Sequence, residues 1–328
     1  MTISRICIVG PGAIGGMMAV KMVKAGFDVS ALVRPARVKV MGETGITLHD
    51  NGEVLHAVPK VASVADALGR QDLVVLTVKE TALSDVAPSL GPLLDKDSQV
   101  VQIMNGIPWW FFTAFDGPLR GTRLESVDRD SSISSHFDMA RHVGGVINCG
   151  VSWRDDGALS HDHSNQLFLG RPDNSKEGME EIASVFRAAG YNTEVAESIH
   201  QQVMSKLLAN ISFNPVSALT MATIDLLLSD DLVAETLTGL MNEARAVTKA
   251  LGLNPGPDPA VRPKGGSKLK ASKTSMLQDM ERGNPLELDS ILAAVVEVAG
   301  FLDVPVPLAR TVYGLLRVRQ QAALAARA

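Results

Sequence analysis

The feature that most constrains the fold is a glycine-rich turn set between a strand and a helix near the start of the chain. Residues 3–9 are β-branched and apolar, residues 10–16 are rich in glycine, and residues 17–25 have helix-forming composition. A second short strand is predicted at 29–33. Strand, turn, helix and strand in this order predict a βαβ unit that is long enough for a parallel crossover.

The glycine spacing gives this turn a chemical role. The sequence GPGAIG places Gly10 where a tight turn is needed, Gly12 where the backbone can approach a pyrophosphate, and Gly15 where helix and strand pack closely. The amides that open the helix, among them those of Ala13 and Ile14, then face the phosphates. This context favours a Rossmann-like dinucleotide site over a glycine-rich turn without a ligand.

The end of the second strand predicts which dinucleotide binds. An acidic side chain there would bind a ribose 2′-hydroxyl, but the residue is Arg34, and no Asp or Glu occurs between Asp28 and Glu43. A guanidinium suits a 2′-phosphate, which favours NADP(H), although a solvated charge at a strand end is the alternative. Lys79 ends another apolar strand at the edge of the sheet where ligands bind in α/β folds.

The rest of the chain predicts two domains. With 328 residues the chain is long enough for two cores. Asn51-Gly52 indicates an accessory hairpin, and from about residue 198 long apolar-periodic segments replace strand composition. We therefore predict an α/β N-terminal Rossmann-like domain (1–197) with added antiparallel strands, and an all-helical C-terminal substrate and catalytic domain (198–328). The other predicted elements are strands at 72–78, 98–104, 143–153, 157–162, 165–173 and 191–196, and helices at 80–90 and 175–190.

Composition excludes several functional classes. A net charge of −5 argues against nucleic-acid binding, and the lack of a long apolar run argues against a membrane span. The first residues do not resemble a secretion signal, so a cytoplasmic location is expected. Cys7 and Cys149 are far apart, and His161 and His163 lack a third ligand, so we expect no metal site. The expected partner is a small molecule, and a homodimer is compatible with the sequence.

Catalytic candidates lie in the helical half. Lys206, Asn210 and Asn214 are spaced i, i+4 and i+8, which places three polar groups on one stripe of an otherwise apolar helix, just before Pro215. Such a stripe could face solvent. Two carboxamides beside the lysine favour a ligand-facing surface instead, where the lysine could bind a substrate carboxylate or protonate a carbonyl oxygen.

Glu287 has two interpretations. Gly283 fits the stop of one helix, and Asn284 with Pro285 fits the N-cap and first residue of the next. Glu287 would then be the third residue of that helix, where an acid commonly completes a capping box. On residues alone, capping is favoured over a catalytic role.

In combination these motifs resemble the ketopantoate reductase (2-dehydropantoate 2-reductase) family. The resemblance covers nearly the whole chain. It rests on six separated motifs in the family's order: GPGAIG at 10–15, Arg34, Val78-Lys79, Asn105-Gly106, the set Lys206, Asn210, Asn214 and Pro215, and Ser275 with Glu287 twelve residues later.

The resemblance implies a role for each candidate. NADPH would bind the glycine turn, with Arg34 and Lys79 near the 2′-phosphate and Asn105 near the nicotinamide. Lys206 would be the general acid, and Glu287 would support catalysis from across the cleft. The resemblance therefore favours a catalytic role for Glu287 over capping. The residues matching substrate-binding positions are Asn210, Asn214 and Ser275. The implied reaction is hydride transfer to the 2-oxo carbon of 2-dehydropantoate, giving pantoate.

Some features depart from the family's pattern. Trp109, Trp110 and the two phenylalanines after them form either a pocket wall or a core or subunit-contact cluster. Ser272 stands where an asparagine is expected. These features leave open a paralogous reductase of another 2-oxo acid or an imine, and a non-catalytic NADP(H) sensor is the more distant alternative. A basic stretch is interpreted as a solvated loop rather than an anion site; its members are Arg262, Lys264, Lys268, Lys270 and Lys273.

Overall fold

The computed structural model describes residues 3–259 and 271–325, which form two compact units. The first unit comprises the described residues of Met1–Met104 and of Ser132–Ile199, and the second comprises those of Asn105–Ser131 and of His200–Ala328. The strands of the first unit are β1 Arg5–Val9, β2 Asp28–Leu32, β3 Ile46–Asp50, β4 Glu53–Ala57, β5 Lys60–Ala62, β6 Leu73–Leu76, β7 Gln99–Ile103, β8 His142–Trp153, β9 Leu159–Gly170 and β10 Asn192–Val195. Its helices are α1 Ala13–Lys24, α2 Pro35–Thr44, α3 Glu80–Val86 and α4 Met179–Ala188.

The strands of the first unit form one sheet in the order β4-β3-β9-β8-β7-β6-β1-β2-β5, with β10 pairing to β9. From β5 through β8 all neighbours are parallel, whereas the β8–β9 and β3–β4 pairs are antiparallel. Strands β1 and β6 are fully apolar in their buried residues, as expected of parallel strands that are covered on both faces. The predicted α/β class, with a Rossmann-like sheet and added antiparallel strands, is confirmed.

The predicted hairpin is confirmed and is tied to the rest of the unit. Asn51 (φ 50°) and Gly52 (φ 88°) join β3 to β4 in the left-handed conformations that such two-residue turns require. At the end of β3 the Asp50 carboxylate lies 2.6 Å from Lys21 Nζ and 2.7 Å from His161 Nδ1. Burial opposes ionisation of Asp50, but the bonds from Lys21 and His161 outweigh it, so the pKa of Asp50 is lowered.

The prediction of two separate short strands at 157–162 and 165–173 was wrong, because the two segments belong to one strand. One continuous strand, β9, runs through both segments and pairs with the equally long β8. The register shifts near Asn148, Gly150 and Val151, and Ser164 adopts a left-handed backbone (φ 57°). The polar residues that looked like a turn are therefore absorbed by an irregularity in the ladder, which does not end the strand.

The second unit is helical, as predicted for the C-terminal half. It contains most of α5 Ile199–Thr220, together with α6 Ile224–Ser229, α7 Asp231–Ala250, α8 Ser275–Arg282, α9 Ala294–Phe301 and α10 Pro307–Ala325. A π-helical turn, Asp289–Ala293, precedes α9 directly. No helix among the described residues is long and apolar enough to cross a membrane.

The units differ from the predicted division at 197/198 in one segment, because residues 105–131 belong to the helical unit. The reason is the aromatic cluster of this segment. Trp109, Trp110, Phe111 and Phe112 are at most 4% exposed, and the rings of the last three pack with Phe115 or His200 of the same unit. The cluster is thus part of a core.

The basic stretch falls mostly outside the described residues. Arg262, Lys264, Lys268 and Lys270 lie there, so their interpretation as a solvated loop stays a prediction. The remaining member, Lys273, is described, and its Nζ lies 2.8 Å from the Glu281 carboxylate.

Candidate active site

The candidate cofactor residues of the first unit follow three neighbouring parallel strands. Val9 at the end of β1 is in register with Leu32 of β2 and with Leu76 of β6, so the three strands end side by side. The glycine turn follows β1, Arg34 follows β2 and Lys79 follows β6. The carboxyl edge of a parallel sheet is where α/β folds bind ligands.

The three motif glycines meet three different environments. Gly10 has φ 74°, and a Cβ there would lie 2.3 Å from Val78 Cγ1. At Gly15 a Cβ would lie 2.1 Å from Thr77 Oγ1, because α1 packs directly on the chain after β6. At Gly12, by contrast, the nearest atom would be the Gly10 oxygen at 3.9 Å. Only Gly12 therefore has open space over its backbone.

The start of α1 suits a phosphate group. Gly12 is the N-cap and offers no side chain to the helix, and the first turn contains no acidic residue. The amides of Ala13, Ile14 and Gly15 have no intrahelical partner at this position, because the first bonded amide is that of Gly16, which donates to the Gly12 oxygen at 2.9 Å. Free amides and open space together fit a pyrophosphate.

The two cations stand at the start of the next helices. Arg34 is the N-cap of α2 and is exposed, and its guanidinium forms no hydrogen bond with another described residue. Lys79 is the N-cap of α3 and is half-buried. Both could bind an anion that also contacts the glycine turn, since all three segments leave the same sheet edge.

A second group of candidates meets in the helical unit. Asn105 Nδ2 donates to Glu287 Oε2 at 3.0 Å, and Asn210 Nδ2 donates to Asn105 Oδ1 at 3.4 Å. Glu287 is only 9% exposed. The Asn105 carboxamide is therefore oriented with its nitrogen toward the carboxylate and its oxygen toward α5.

Helix α5 carries the remaining stripe. Lys206 lies one turn before Asn210, and Asn214 lies one turn after it, so all three project from one side of the helix. Lys206 is half-buried and Asn214 is buried. A half-buried ammonium next to oriented carboxamides could hold a carboxylate or deliver a proton.

The capping interpretation of Glu287 was wrong. The helix it was expected to cap begins only at Leu288, so Glu287 lies before the helix and not at its third residue. Asn284 is not an N-cap either, because residues 285–287 are not helical; its Nδ2 donates to Asp279 Oδ1 at 3.2 Å instead. Gly283 does end α8 in a left-handed conformation (φ 71°), as predicted.

Among the described residues, Ser275 is not hydrogen-bonded to this group. It is the exposed first residue of α8, and in the described part of the chain no hydrogen bond joins it to Asn105, Asn210 or Glu287. Its N-cap neighbour Thr274 accepts the amide of Leu277 at 3.1 Å.

Two supporting residues were missed by the sequence analysis. Thr77 Oγ1 donates to the oxygens of Val9 and Gly10 and so holds the glycine turn from beneath. Ser290 accepts the amide of Ile107 at 2.8 Å through its backbone oxygen. The Ser290 contact is made by a backbone carbonyl, so no side chain in the sequence indicates it. Thr77 could have been identified, because it lies two residues before Lys79 and acts through its side chain.

Comparison with known proteins finds matches over most of the chain. The family model for ketopantoate reductase PanE/ApbA matches residues 6–174, and the model for its C-terminal part matches residues 198–320. The 2-dehydropantoate 2-reductase of Mesorhizobium japonicum is 36% identical, over 95% of this chain and 97% of that protein.

Solved structures share the fold. The crystal structure of a candidate ketopantoate reductase from Ralstonia solanacearum MolK2 is 35% identical, with a TM-score of 0.91 over 98% of this chain and 99% of that one. The ternary structure of D-mandelate dehydrogenase with NADH and anilino(oxo)acetate aligns with a TM-score of 0.82 over 97% of this chain and 99% of that one. At 18% identity this second likeness concerns the fold alone.

Proposed function

This chain belongs to the ketopantoate reductase family of oxidoreductases, and on that premise we propose that it reduces 2-dehydropantoate to pantoate with NADPH, with Lys206 as the general acid. The observation that carries the proposal is the group formed by Asn105, Asn210 and Glu287, in which Asn210 belongs to the same helix stripe as Lys206. The names of the relatives support the substrate.

The candidate residues have separate roles in the proposed reaction. When bound, the reduced dinucleotide supplies a hydride to the 2-oxo carbon. The Lys206 ammonium donates a proton to the substrate oxygen and stabilises the negative charge that develops on it. Glu287 supports the ammonium, and Asn105 orients the Glu287 carboxylate. The substrate's polar groups are held by Asn210, Asn214 and Ser275.

The glycine turn and the two cations hold the cofactor in this proposal. The amides at the start of α1 bind the pyrophosphate over Gly12, and Arg34 with Lys79 binds the 2′-phosphate. The exposed guanidinium of Arg34, free of other described partners, supports a preference for NADPH over NADH.

A second candidate is the reduction of another 2-oxo acid. Ser272 is exposed, and its backbone oxygen accepts the amide of Ile224. Its side chain is shorter than that of the asparagine expected at this position in the family. The aromatic cluster at 109–112 does not favour an aromatic substrate, because its rings are packed inside a core. A homodimer and a cytoplasmic location stay predictions; light scattering on the 34.9-kDa chain tests the first.

The decisive experiment follows NADPH oxidation with 2-dehydropantoate and a panel of other 2-oxo acids. We expect Lys206→Ala to lower kcat by about 10²–10⁴-fold, since a positioned general acid contributes that much. Lys249→Ala removes an exposed lysine from α7 and should leave kcat unchanged. Equal kcat for Lys206→Ala and wild type would exclude the general acid. Faster turnover of another acid would establish the second candidate, and NADPH binding without any turnover would indicate a sensor.

A further inference from the structure

The loop that carries Asn105 docks on the π-helical turn that follows Glu287. Resting on the proposed function, in which both residues belong to the reaction site, we propose that Gly106 is a positioning residue. It allows the 105–107 segment to approach the turn Asp289–Ala293 so closely that the Asn105 carboxamide is held on the Glu287 carboxylate.

Two hydrogen bonds join the same two segments. Asn105 Nδ2 donates to Glu287 Oε2 at 3.0 Å, and two residues later the Ile107 amide donates to the Ser290 oxygen at 2.8 Å. One bond alone would allow the segments to pivot. The pair defines both their separation and their direction, so the side-chain contact depends on the backbone contact.

Gly106 lies between these two bonds. Its φ is 79°, and a Cβ there would lie 2.3 Å from the oxygen, 2.4 Å from the carbonyl carbon and 2.7 Å from the Cβ of Ser290. Two of these atoms belong to the backbone and cannot rotate away. Any side chain at residue 106 would therefore separate the segments.

The π-helical turn cannot readily retreat, because α10 holds it from another side. Tyr313 Oη donates to Asp289 Oδ1 at 2.9 Å, and the Leu286 amide donates to Gln320 Oε1 at 3.0 Å. These bonds flank Glu287 in sequence. Single π-helical turns occur frequently at functional sites, and here the turn presents the Ser290 oxygen to a neighbouring loop.

The size of the effect follows from the distances. Bringing the new methyl group from 2.3 Å to an ordinary contact of at least 3.4 Å requires a displacement of about 1 Å. That shift would carry the Asn105–Glu287 bond out of range, because it is already 3.0 Å long. Misplacing a catalytic group by 1 Å can cost about 100-fold in rate.

Gly121 provides a matched control. Like Gly106 it lies within residues 105–131 of the helical unit and has a positive φ (77°). It is exposed, and a Cβ there would meet no atom within 4 Å. Gly106→Ala and Gly121→Ala thus share the cost of a left-handed alanine and differ in the docking contact. We expect Gly106→Ala to lower kcat about 100-fold with a much smaller change in the Kd for NADPH, because the phosphates are bound by the glycine turn and the two cations. Gly121→Ala should leave kcat unchanged. Equal kcat in the two variants would overturn the proposal.

A double-mutant cycle tests the route through Asn105. If Gly106 acts by holding Asn105 on Glu287, adding Gly106→Ala to Asn105→Ala should lower kcat only slightly further, and the two Tm shifts should be less than additive. Additive shifts would overturn the proposal. The Tm cycle needs no substrate, so it still decides the matter if 2-dehydropantoate is not reduced, a result that would overturn only the proposed function.

Tyr313→Phe addresses the same docking if Gly106→Ala does not fold. This variant keeps the ring and removes the hydroxyl that holds Asp289. A several-fold lower kcat with an unchanged Kd for NADPH supports the positioning of Glu287 by the turn. Wild-type kcat in this variant would contradict it.

Discussion

Alanine substitutions at Gly12 and Gly15 should separate cofactor binding from folding. At Gly15 the new Cβ would lie 2.1 Å from Thr77 Oγ1, 3.0 Å from Ile8 Cγ2 and 3.1 Å from Thr77 Cβ. Rotating Thr77 would remove only the first contact and would break the hydrogen bond that its single hydroxyl hydrogen shares between the oxygens of Val9 and Gly10, worth about 1 kcal/mol. Moving α1 away would open its packing against the sheet.

The net cost can be worked out from opposing effects. Overpacking a well-filled core costs about 1–3 kcal/mol, while replacing glycine by alanine in a helix returns up to about 1 kcal/mol. Taking the middle of the overpacking range, about 2 kcal/mol, we expect Gly15→Ala to lower the free energy of unfolding by about 1–2 kcal/mol. For a unit of this size that corresponds to a Tm lower by about 2–8 °C, measured by circular dichroism without cofactor.

Gly12→Ala should behave in the opposite way. The new Cβ would meet only the Gly10 oxygen at 3.9 Å, so the overpacking expected at Gly15 does not arise here. The methyl group would instead occupy the space through which a pyrophosphate approaches, and we expect a Kd for NADPH about tenfold higher or more by calorimetry. An unchanged Kd for Gly12→Ala, or an unchanged Tm for Gly15→Ala, would refute the reasoning at that residue.

Three further predictions follow from single side chains. Arg34→Ala should raise the KM for NADPH about tenfold or more and leave that for NADH unchanged in steady-state assays, and equal effects would exclude contact with a 2′-phosphate. Asp50→Asn should lower the free energy of unfolding by about 3–5 kcal/mol in urea titrations, because it leaves the buried ammonium of Lys21 without its carboxylate partner, and a loss below 1 kcal/mol would contradict this. Burial lowers the pKa of His200 to about 4, so the unfolded chain takes up a proton first as pH falls below about 6.5. The contribution of His200 to stability should fall from there toward pH 4 by on the order of 3 kcal/mol, in addition to that of His142, whose pKa burial lowers to about 3, and the urea midpoint of His200→Gln should depend less on pH.

Much of the first unit could be predicted because its signals are local. The glycine turn, the apolar parallel strands and the Asn51-Gly52 hairpin each depend on backbone preferences of a few adjacent residues. The stripe of Lys206, Asn210 and Asn214 was visible for the same reason, since helical periodicity alone places the three on one side of α5.

The errors share a different cause. A run of polar residues was interpreted as a break in β9, although pairing with β8 carries the strand through it. Capping of a helix was favoured for Glu287 because Asn284-Pro285 has the local pattern of a helix start, yet the helix begins later. In both cases contacts with distant segments outweighed a weak local preference.

The sequence by itself determined the class of fold, the glycine turn with its basic neighbours, and the family, because short-range backbone chemistry and motif order are written in adjacent residues. The tertiary structure decided that residues 105–131 belong to the helical unit, and that Asn105 meets Glu287 across 182 residues of chain. It also decided that Gly106 rests on the carbonyl of Ser290. A contact between a glycine and a backbone oxygen involves no side chain on either partner, so only the folded chain can reveal it.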